Sequence, residues 1–302
     1  MSEVAKTTGR PRRRQSDGPL AKGLYLVATP IGNASDITLR ALHVLEAADA
    51  VFAEDTRVTA KLLALHELAR PLQSYREHNA AEAEHKILAR LAEGQSVALV
   101  SDAGTPLISD PGQRLVRAAV AEGHVVFPVP GPSATLAALA ASGLAGERFL
   151  FAGFLPARAT ERRRVIRELE AVAATLVLFE APPRLGESLA DLGAILGARQ
   201  AAVARELTKL HEEIRRGTLA DLAAHYEGRE VKGEIVIVIE APSGTPAEAP
   251  AGALDARLTA ELARHPVKDA AAIVAAALGL PRREVYARAL ELRRAQEPDD
   301  DA

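Results

Sequence analysis

The stretch VALVSDAGTPLISDPG, residues 97–112, joins a short apolar run to a loop rich in turn-forming residues. The run VALV is typical of a buried strand. The twelve residues after it hold two aspartates, two glycines and two prolines and no basic residue, which is the composition of a turn-rich loop. In an open α/β sheet, ligands bind at the carboxyl ends of the strands. This stretch therefore predicts an α/β fold with a ligand site in the loop after residue 100.

Strand-like and helix-like segments alternate on both sides of this stretch. Apolar runs predict strands at GLYLVA (23–28), AVFAED (50–55) and VVFPVP (125–130). The segments between the strands predict helices, the first of which, DITLRALHVLEAAD, has Ser35 or Asp36 as its expected N-cap. Asp110 is expected to cap the helix that follows the loop. Such alternation predicts a mostly parallel sheet.

Four further strand-like runs, FLFAGFLP, TLVLFEAP, AAVARELT and EIVIVIEAP, predict a second α/β domain. The segment APSGTPAEAPAGA that follows is typical of a linker. The predicted organisation is a disordered basic tail (1–21), an N-terminal α/β domain (22–145), a second α/β domain (146–241), a linker (242–254), a module of two short helices (255–295) and an acidic tail (296–302).

The composition excludes several classes of protein. The 302 residues include no cysteine, which excludes disulfides, thiolate nucleophiles and cysteine-based zinc sites and fits a cytoplasmic location. No segment reaches the roughly 20 apolar residues of a membrane span. The arginines at 12–14 precede no long apolar region, so a secretion signal is not expected. Because the net charge is −3, any RNA contact must come from local basic patches.

Four glycine-containing loops are the candidate ligand site: TPIGN (29–33), SDAGTP (101–106), PGPSA (130–134) and KGE (232–234). The first three follow predicted parallel strands and should converge at one sheet edge. Each loop alone could be an ordinary turn. No GxGxxG opens the first βα unit and no GxxxxGK[ST] occurs, and the loops are poor in Lys and Arg. A ligand with little or no negative charge is therefore predicted.

The segments GLYLVATPIGNASDITLRALHVLEAADAVFAEDTR and VALVSDAGTPLISDPG resemble the tetrapyrrole (corrin/porphyrin) methylase superfamily, and within it the branch that methylates small-subunit rRNA. The resemblance continues through PGPSA, GFLP, RELTK and KGE to PVKDAAAIVAAALGLPRREVYARALE, so that it spans roughly residues 22–294. Relatives acting on porphyrin-like rings carry a GDP-type loop where this chain has GTP (104–106). The resemblance implies two α/β domains with S-adenosylmethionine (SAM) in the cleft between them, and a homodimer.

The implied activity is SAM-dependent 2′-O-methylation of a cytidine in 16S rRNA of the 30S subunit, at cytidine 1402 by the resemblance. The loops then become the expected cofactor site. Its residues are Pro30, Gly32, Asp102, Ala103, Gly104, Thr105, Pro106, Pro130, Gly131, Ser133, Ala134, Glu180, Lys232, Gly233 and Glu234.

The motif AEDTR (53–57) places two acids and an arginine at the end of the second predicted strand. A ribose hydroxyl is a poor nucleophile, so a base or a strong hydrogen-bond acceptor is expected near it. Asp55 or Glu54 is the first candidate and His78 the second. The alternatives are a solvated, salt-bridged turn for the acids and a structural role for the histidine. No histidine spacing indicates a metal site, and none is predicted.

The expected contacts to RNA are basic or polar side chains, with solvated helix faces as the alternative reading for the arginine clusters. They are Arg57, Arg76, Asn79, Arg162, Arg163, Arg282 and Arg283. The module 255–295 is expected to be helix-turn-helix-like and to help hold RNA, or else to be a packing or dimer element. Two other functions stay open: methylation of a corrinoid or porphyrin precursor, and a non-catalytic ribosome-assembly factor with the same fold.

Overall fold

The computed structural model describes residues 18–107, 112–144, 146–242, 253–278 and 282–296. The expected N-cap Asp110 lies outside these residues, as do most of the predicted basic tail, linker and acidic tail. The described residues form two compact units, which divide between residues 241 and 242.

The first sheet has five strands, all parallel, in the order β3-β2-β4-β1-β5. Apart from Ser96, the central strands are apolar, as is usual where helices cover both faces of a sheet. The three-residue strand β3 follows a loop and was not predicted, because it carries only one strongly apolar side chain. The strands are β1 Gly23–Val27, β2 Ala50–Ala53, β3 Leu72–Ser74, β4 Ser96–Val100 and β5 Val126–Val129.

The α-helices among the described residues of this half are α1 Leu39–Ala47, α2 Thr56–Leu65, α3 Ala80–Ala92, α4 Gln113–Ala121 and α5 Ala134–Ser142. The prediction of Ser35 or Asp36 as the first N-cap is wrong. Residues 34–36 form a separate 3-10 turn, and the side chain of Thr38 accepts a hydrogen bond from the Ala41 N–H to cap α1.

The second sheet has the order β6-β7-β10-β8-β9, and only the β6–β7 pair is parallel. Strand β9 was not predicted, because its sequence EIRRGT contains one strongly apolar residue. The strands are β6 Phe149–Phe154, β7 Thr175–Glu180, β8 Gln200–Arg205, β9 Glu213–Thr218 and β10 Ile235–Ile239. One face carries the helices α6 Ala159–Glu170, α7 Leu185–Leu196 and α8 Leu219–Tyr226.

Helix α5 packs against the other face of the second sheet. Its Ala138 is fully buried in a cluster with Val177 of β7, Ala202 of β8 and Val238 of β10. The side chain of Arg216 on β9 also reaches the carbonyl groups at the end of α5, at 2.8 Å from the Ser142 oxygen. The helix that leaves the last strand of the first sheet therefore fixes the second sheet beside the first.

The described residues of the second unit form a cluster of three helices, α9 Ala253–Leu262, α10 Val267–Leu278 and α11 Arg282–Gln296. Two helices were predicted. The first of them is divided into α9 and α10, because Pro266 interrupts it and immediately precedes the start of α10. Leu258, Val274 and Val285 form the apolar centre. The guanidinium of Arg288 donates two hydrogen bonds to the Asp255 carboxylate, at 2.8 and 2.6 Å, and so joins α11 to α9.

Candidate functional site

Three loops meet at the carboxyl end of the first sheet. Thr29 after β1 and Gly104 after β4 exchange two backbone hydrogen bonds, of 2.9 and 3.0 Å. The Thr29 hydroxyl donates to the Ser101 carbonyl at 3.0 Å, and the Thr105 hydroxyl lies 3.5 Å from the carbonyl of Pro132 after β5. The predicted convergence of the loops is confirmed.

A cavity of about 440 Å³ opens between these loops and the second sheet, a size that suits a small-molecule ligand. Its lining is mainly apolar, and the described residues that form it include no Lys, Arg or His. The first half contributes Ile31, Ala103, Gly104, Thr105, Ser133, Ala134 and Thr135, and the second contributes Phe154, Phe179, Glu180, Ala181, Pro182, Ala204, Leu207, Gly233, Glu234, Ile235 and Val236.

About half of the residues expected to bind the cofactor line this cavity. They are Ala103, Gly104, Thr105, Ser133, Ala134, Glu180, Gly233 and Glu234. Those that do not line it are Pro30, Gly32, Asp102, Pro106, Pro130, Gly131 and Lys232. Several residues of this second group contact the loops that line the cavity and stabilise them, without lining it themselves.

Gly131 is in close contact with the end of β1, because a Cβ atom there would lie 2.9 Å from the Cβ of Ala28. Next to Gly32, the Asn33 N–H donates to the Thr208 hydroxyl at 3.1 Å and ties the first loop to the β8–β9 loop. The Lys232 ammonium is largely exposed and pairs with Glu230 at 3.1 Å. The contacts of Gly131 and Asn33 support the geometry of the loops, whereas the exposed pair of Lys232 does not.

The sequence did not indicate the apolar part of the lining. Phe154 is the last residue of β6 and Phe179 the second-to-last residue of β7, and the centres of their rings lie 5.5 Å apart in an edge-to-face contact. The sequence has only six phenylalanines, and two of them lie near the ends of neighbouring strands. That placement was the signal that could have indicated an aromatic lining. Thr135 was also missed; its hydroxyl is buried and finds no hydrogen-bond partner within the described residues.

Glu180 is the buried acid of the lining. Its Oε1 accepts a hydrogen bond from the Ala181 N–H at 2.7 Å and pairs with Arg184 at 2.6 Å, and its Oε2 accepts one from Ser188. The carboxylate is therefore largely satisfied by the β7–α7 turn. Burial of a charge is tolerated when it is paired and hydrogen-bonded in this way.

The acids of AEDTR have different environments. Asp55 is the N-cap of α2, and its carboxylate accepts from the Arg57 N–H at 2.9 Å. The Arg57 side chain also donates to it at 3.0 and 2.6 Å, and Arg76 pairs with it at 3.0 Å. Hydrogen bonds from Arg57 hold the pKa of Asp55 well below its ordinary value. Such a carboxylate is a poor proton acceptor.

Glu54 has the opposite character. Burial raises its pKa above the ordinary glutamate value, and the nearby negative charge of Asp102 adds to the rise. The Asp102 N–H and the Arg76 cation oppose the shift without cancelling it. A raised pKa makes Glu54 the better general base of the two acids.

Asp102 and Arg76 connect the two loops around these acids. The Asp102 Oδ1 accepts from the Asp55 N–H at 2.8 Å, so that the expected cofactor ligand holds the AEDTR backbone. Arg76 Nε donates to the Glu54 carbonyl at 2.9 Å. The Asn79 side chain accepts from the Arg76 N–H at 2.6 Å and stabilises the turn that carries the exposed His78.

The arginines expected to contact RNA are not equivalent. Arg162 is buried, with a side chain 3% exposed, and its Nε lies 2.7 Å from Asp191. The expectation of a solvated phosphate contact there is wrong, because this side chain fixes α6 to α7. Arg163 is about half exposed, and Arg57, Arg282 and Arg283 are exposed.

The residues that the structure describes provide neither a cluster of metal ligands nor a membrane-spanning helix. They contain no group of three or more His, Asp or Glu side chains placed to hold a metal ion. None of their helices has the length and apolar character needed to cross a membrane.

Residues 23–223 match the family described as Tetrapyrrole (Corrin/Porphyrin) Methylases, and residues 248–293 match the RsmI C-terminal HTH domain. The chain belongs to the tetrapyrrole methylase family and is a methyltransferase. A relative from Mesorhizobium japonicum named "Ribosomal RNA small subunit methyltransferase I" is 52% identical, over 91% of this chain and 94% of the relative.

Solved structures of the same fold cover about three quarters of this chain. The uroporphyrin-III-C-methyltransferase from Thermus thermophilus has a TM-score of 0.52 and 25% identity, over 72% of this chain and 94% of that chain. A second structure of a Thermus thermophilus uroporphyrin-III C-methyl transferase is described as complexed with S-adenyl homocysteine. It has a TM-score of 0.52 and 20% identity, over 72% of this chain and 97% of that chain.

Proposed function

We propose that this methyltransferase uses SAM to methylate the 2′-hydroxyl of a cytidine in 16S rRNA of the small ribosomal subunit, at cytidine 1402 by the family resemblance. The observation that carries the proposal is the mainly apolar cavity at the end of the parallel sheet, which has no Lys or Arg among its described lining residues, in a chain 52% identical to a relative named for small-subunit rRNA methylation. A cytoplasmic location follows from that substrate.

The cavity fits SAM in chemistry and size. SAM carries a sulfonium, an amino acid group and an adenine but no phosphate, which suits a lining without Lys or Arg. The unsatisfied Thr135 hydroxyl and the backbone of residues 103–105 and 233–234 are among the polar groups available to it. Phe154 and Phe179 offer an aromatic surface for the adenine. When bound, SAM supplies an electrophilic methyl group.

The protein's own contribution is to orient the ribose hydroxyl and to accept its proton. Holding the reacting atoms in line supplies much of the rate in such displacements. Glu54 is the proposed proton acceptor because its pKa is raised by burial. Asp55 is proposed to position the loop through Arg57 and Arg76 instead. His78 has no contact that favours it as the base.

The experiment that tests the function is methyl transfer from labelled SAM to three acceptors: small subunits lacking the modification, free 16S rRNA, and a precorrin-type ring. Label in either RNA sample and none in the ring is the expected result. Label in the ring would favour a tetrapyrrole substrate. RNA binding without transfer to any acceptor would favour an assembly factor.

The three-helix unit is proposed to hold RNA through Arg282 and Arg283, which are exposed at the start of α11. Truncation after residue 242 is expected to leave SAM affinity unchanged and to weaken RNA binding. The slope of log K for RNA binding against log salt concentration should become shallower by about 1.4 when both contacts are lost. Each lost contact to a single-stranded phosphate accounts for about 0.7.

A full-length Arg282→Gln/Arg283→Gln variant should reproduce the change in salt dependence, while an Arg117→Gln variant on α4 should not. Unchanged RNA affinity in the truncated protein would show that the unit has another role, such as packing or dimer formation.

A homodimer is also proposed, on the family resemblance. Phe149 and Leu150 on the edge strand β6 are 43% and 37% exposed, an unusual exposure for large apolar side chains of one strand. Sedimentation at micromolar concentration should give twice the monomer mass of 31.9 kDa, and a monomer at that concentration would contradict the proposal.

A further inference from the structure

A second cavity, of about 470 Å³, lies at the other side of the KGE segment. Residues Gly233 and Glu234 line the apolar cavity described above, whereas the neighbouring Lys232 and Val231 line this one. A single short stretch of backbone therefore forms a wall of both cavities. The two cavities have opposite chemistry, because the second is lined mainly by charged side chains.

Strand alternation explains how the charges converge. Glu213 and Arg215 on β9 point to one face of the sheet, while Ile214 and Arg216 between and beyond them contact α5 on the other. Arg205 on β8 is paired in register with Glu213 and donates to its Oε2 at 3.3 and 3.2 Å. Arg205 also donates to the Lys232 carbonyl at 3.3 Å, which holds the shared wall.

The cavity is electropositive. Four cationic side chains, Arg205, Arg215, Arg229 and Lys232, face two carboxylates, Glu213 and Glu230. Glu213 pairs with Arg205 and Arg215, and Glu230 pairs with Lys232. The exposed Arg229 makes no ion pair with any described side chain. Two positive charges of the lining are thus left without a counter-charge.

Two side chains of α8 complete the cavity. Burial lowers the pKa of His225, and the cations of Arg215 and Arg229 lower it further. Tyr226 is 5% exposed, and its buried hydroxyl lies close to the Arg215 side chain without reaching hydrogen-bond geometry to any described residue, so that its O–H donor has no acceptor there. Burial raises the pKa of Tyr226, so the phenol keeps its proton and remains a donor. An unsatisfied buried donor is costly and calls for a partner.

We propose that this second cavity binds a phosphate group of the RNA substrate, through Arg215, Arg229 and the Tyr226 hydroxyl. Guanidinium groups match phosphate oxygens in geometry as well as in charge, and the phenol supplies a further donor. The shared KGE wall would then couple a phosphate of the RNA strand to the cavity where the methyl donor binds. This inference rests on the proposed RNA substrate.

Arg229→Gln is the decisive variant, because Arg229 is exposed and makes no ion pair or side-chain hydrogen bond with the described residues. Its affinity for a 16S rRNA fragment at about 0.1 M salt is expected to fall about tenfold, the usual effect of losing a charge-assisted hydrogen bond. The salt dependence of log K should fall by about 0.7. SAM affinity should not change.

Tyr226→Phe removes only the hydroxyl. We expect a melting temperature equal to or above that of the wild-type protein, since an unsatisfied buried group is lost, together with weaker RNA binding. Arg117→Gln on α4 is the matched control, with unchanged affinity and salt dependence. Inorganic phosphate should raise the melting temperature of the wild-type protein and have less effect on Arg229→Gln.

Wild-type RNA affinity and salt dependence in folded Arg229→Gln would overturn the inference. The inference would also be overturned if Arg229→Gln lost the rise in melting temperature caused by inorganic phosphate but bound RNA as the wild-type protein does. That result would indicate a site for a free anion. If the wild-type protein fails to methylate rRNA while Arg229→Gln still lowers the salt dependence, the phosphate site stands and the proposed function fails.

Discussion

Replacing Glu54 with glutamine is expected to lower the single-turnover rate of methyl transfer by about 10²–10⁴-fold, the usual contribution of a positioned general base. Glutamine keeps the size and the backbone contacts of the side chain but cannot accept the ribose proton. Because Glu54 does not line the apolar cavity, SAM affinity should stay near that of the wild-type protein. Rapid-quench methylation under SAM-saturated conditions measures the rate.

Asp55→Asn is the matched control, since it makes the same change of acid to amide on the neighbouring residue. Asparagine is also a good N-cap, so α2 keeps its first hydrogen bond. The ion pairs with Arg57 and Arg76 are lost, and we expect a lower melting temperature with a rate within a few-fold of wild type. A larger rate loss in Asp55→Asn than in Glu54→Gln would reverse the assignment.

The pH profile gives a second test of Glu54. A carboxylate acts as a base only when ionised, so the rate should rise with pH through the pKa of Glu54. Burial first, and then the charge of Asp102, place that pKa above the ordinary glutamate value. In the wild-type protein, the rise of the rate with pH should therefore have its midpoint above the ordinary pKa range of glutamate. This rise should be absent in Glu54→Gln. If the rate of the variant rises with the same midpoint pH, Glu54 is not the group that causes the rise.

Gly104→Val is expected to weaken SAM binding by on the order of 100-fold, near the upper end of the usual cost of overpacking. Gly104 lines the cavity with a φ of +78°, and an added Cβ would lie 3.5 Å from the Ile31 side chain. The Cβ itself therefore has room. The two additional methyl groups of valine must take space beside Ile31 that the ligand would use. Titration calorimetry with SAM measures the effect.

Gly104→Ala separates the cavity effect from backbone strain. Alanine carries the same left-handed backbone penalty, about 1–2 kcal/mol, but adds only the Cβ that fits. We expect a lower melting temperature with most of the SAM affinity retained. A folded valine variant that binds SAM as tightly as the wild-type protein would contradict the assignment of this cavity to the cofactor.

Strand positions and loop convergence were predictable because apolar runs and turn residues carry the physical signal. All eight predicted strands are present. The two that were missed, β3 and β9, are edge strands with few strongly apolar side chains, and their place is set by pairing with a neighbour. The antiparallel arrangement of most of the second sheet is likewise a property of pairing between distant segments.

The roles of individual acids could not be predicted, because they depend on partners far away in the sequence. Glu54 and Asp55 are adjacent, yet one is affected mainly by burial and Asp102, and the other by Arg57 and Arg76. Arg162 had the pattern of a solvated helix face, and its burial depends on Asp191, 29 residues later. The residues adjacent in the sequence do not show which distant side chains will contact a given residue in the folded protein.

The central claim is tested most directly by mapping 2′-O-methylated nucleotides in the small-subunit rRNA of cells that lack this gene, before and after incubation of their subunits with the purified protein and SAM. The account predicts that one cytidine is unmethylated in those cells and gains a single ribose methyl group on incubation, and that Glu54→Gln restores it far more slowly. An rRNA methylation pattern that is the same with and without the gene, and unchanged by the purified protein, would contradict it.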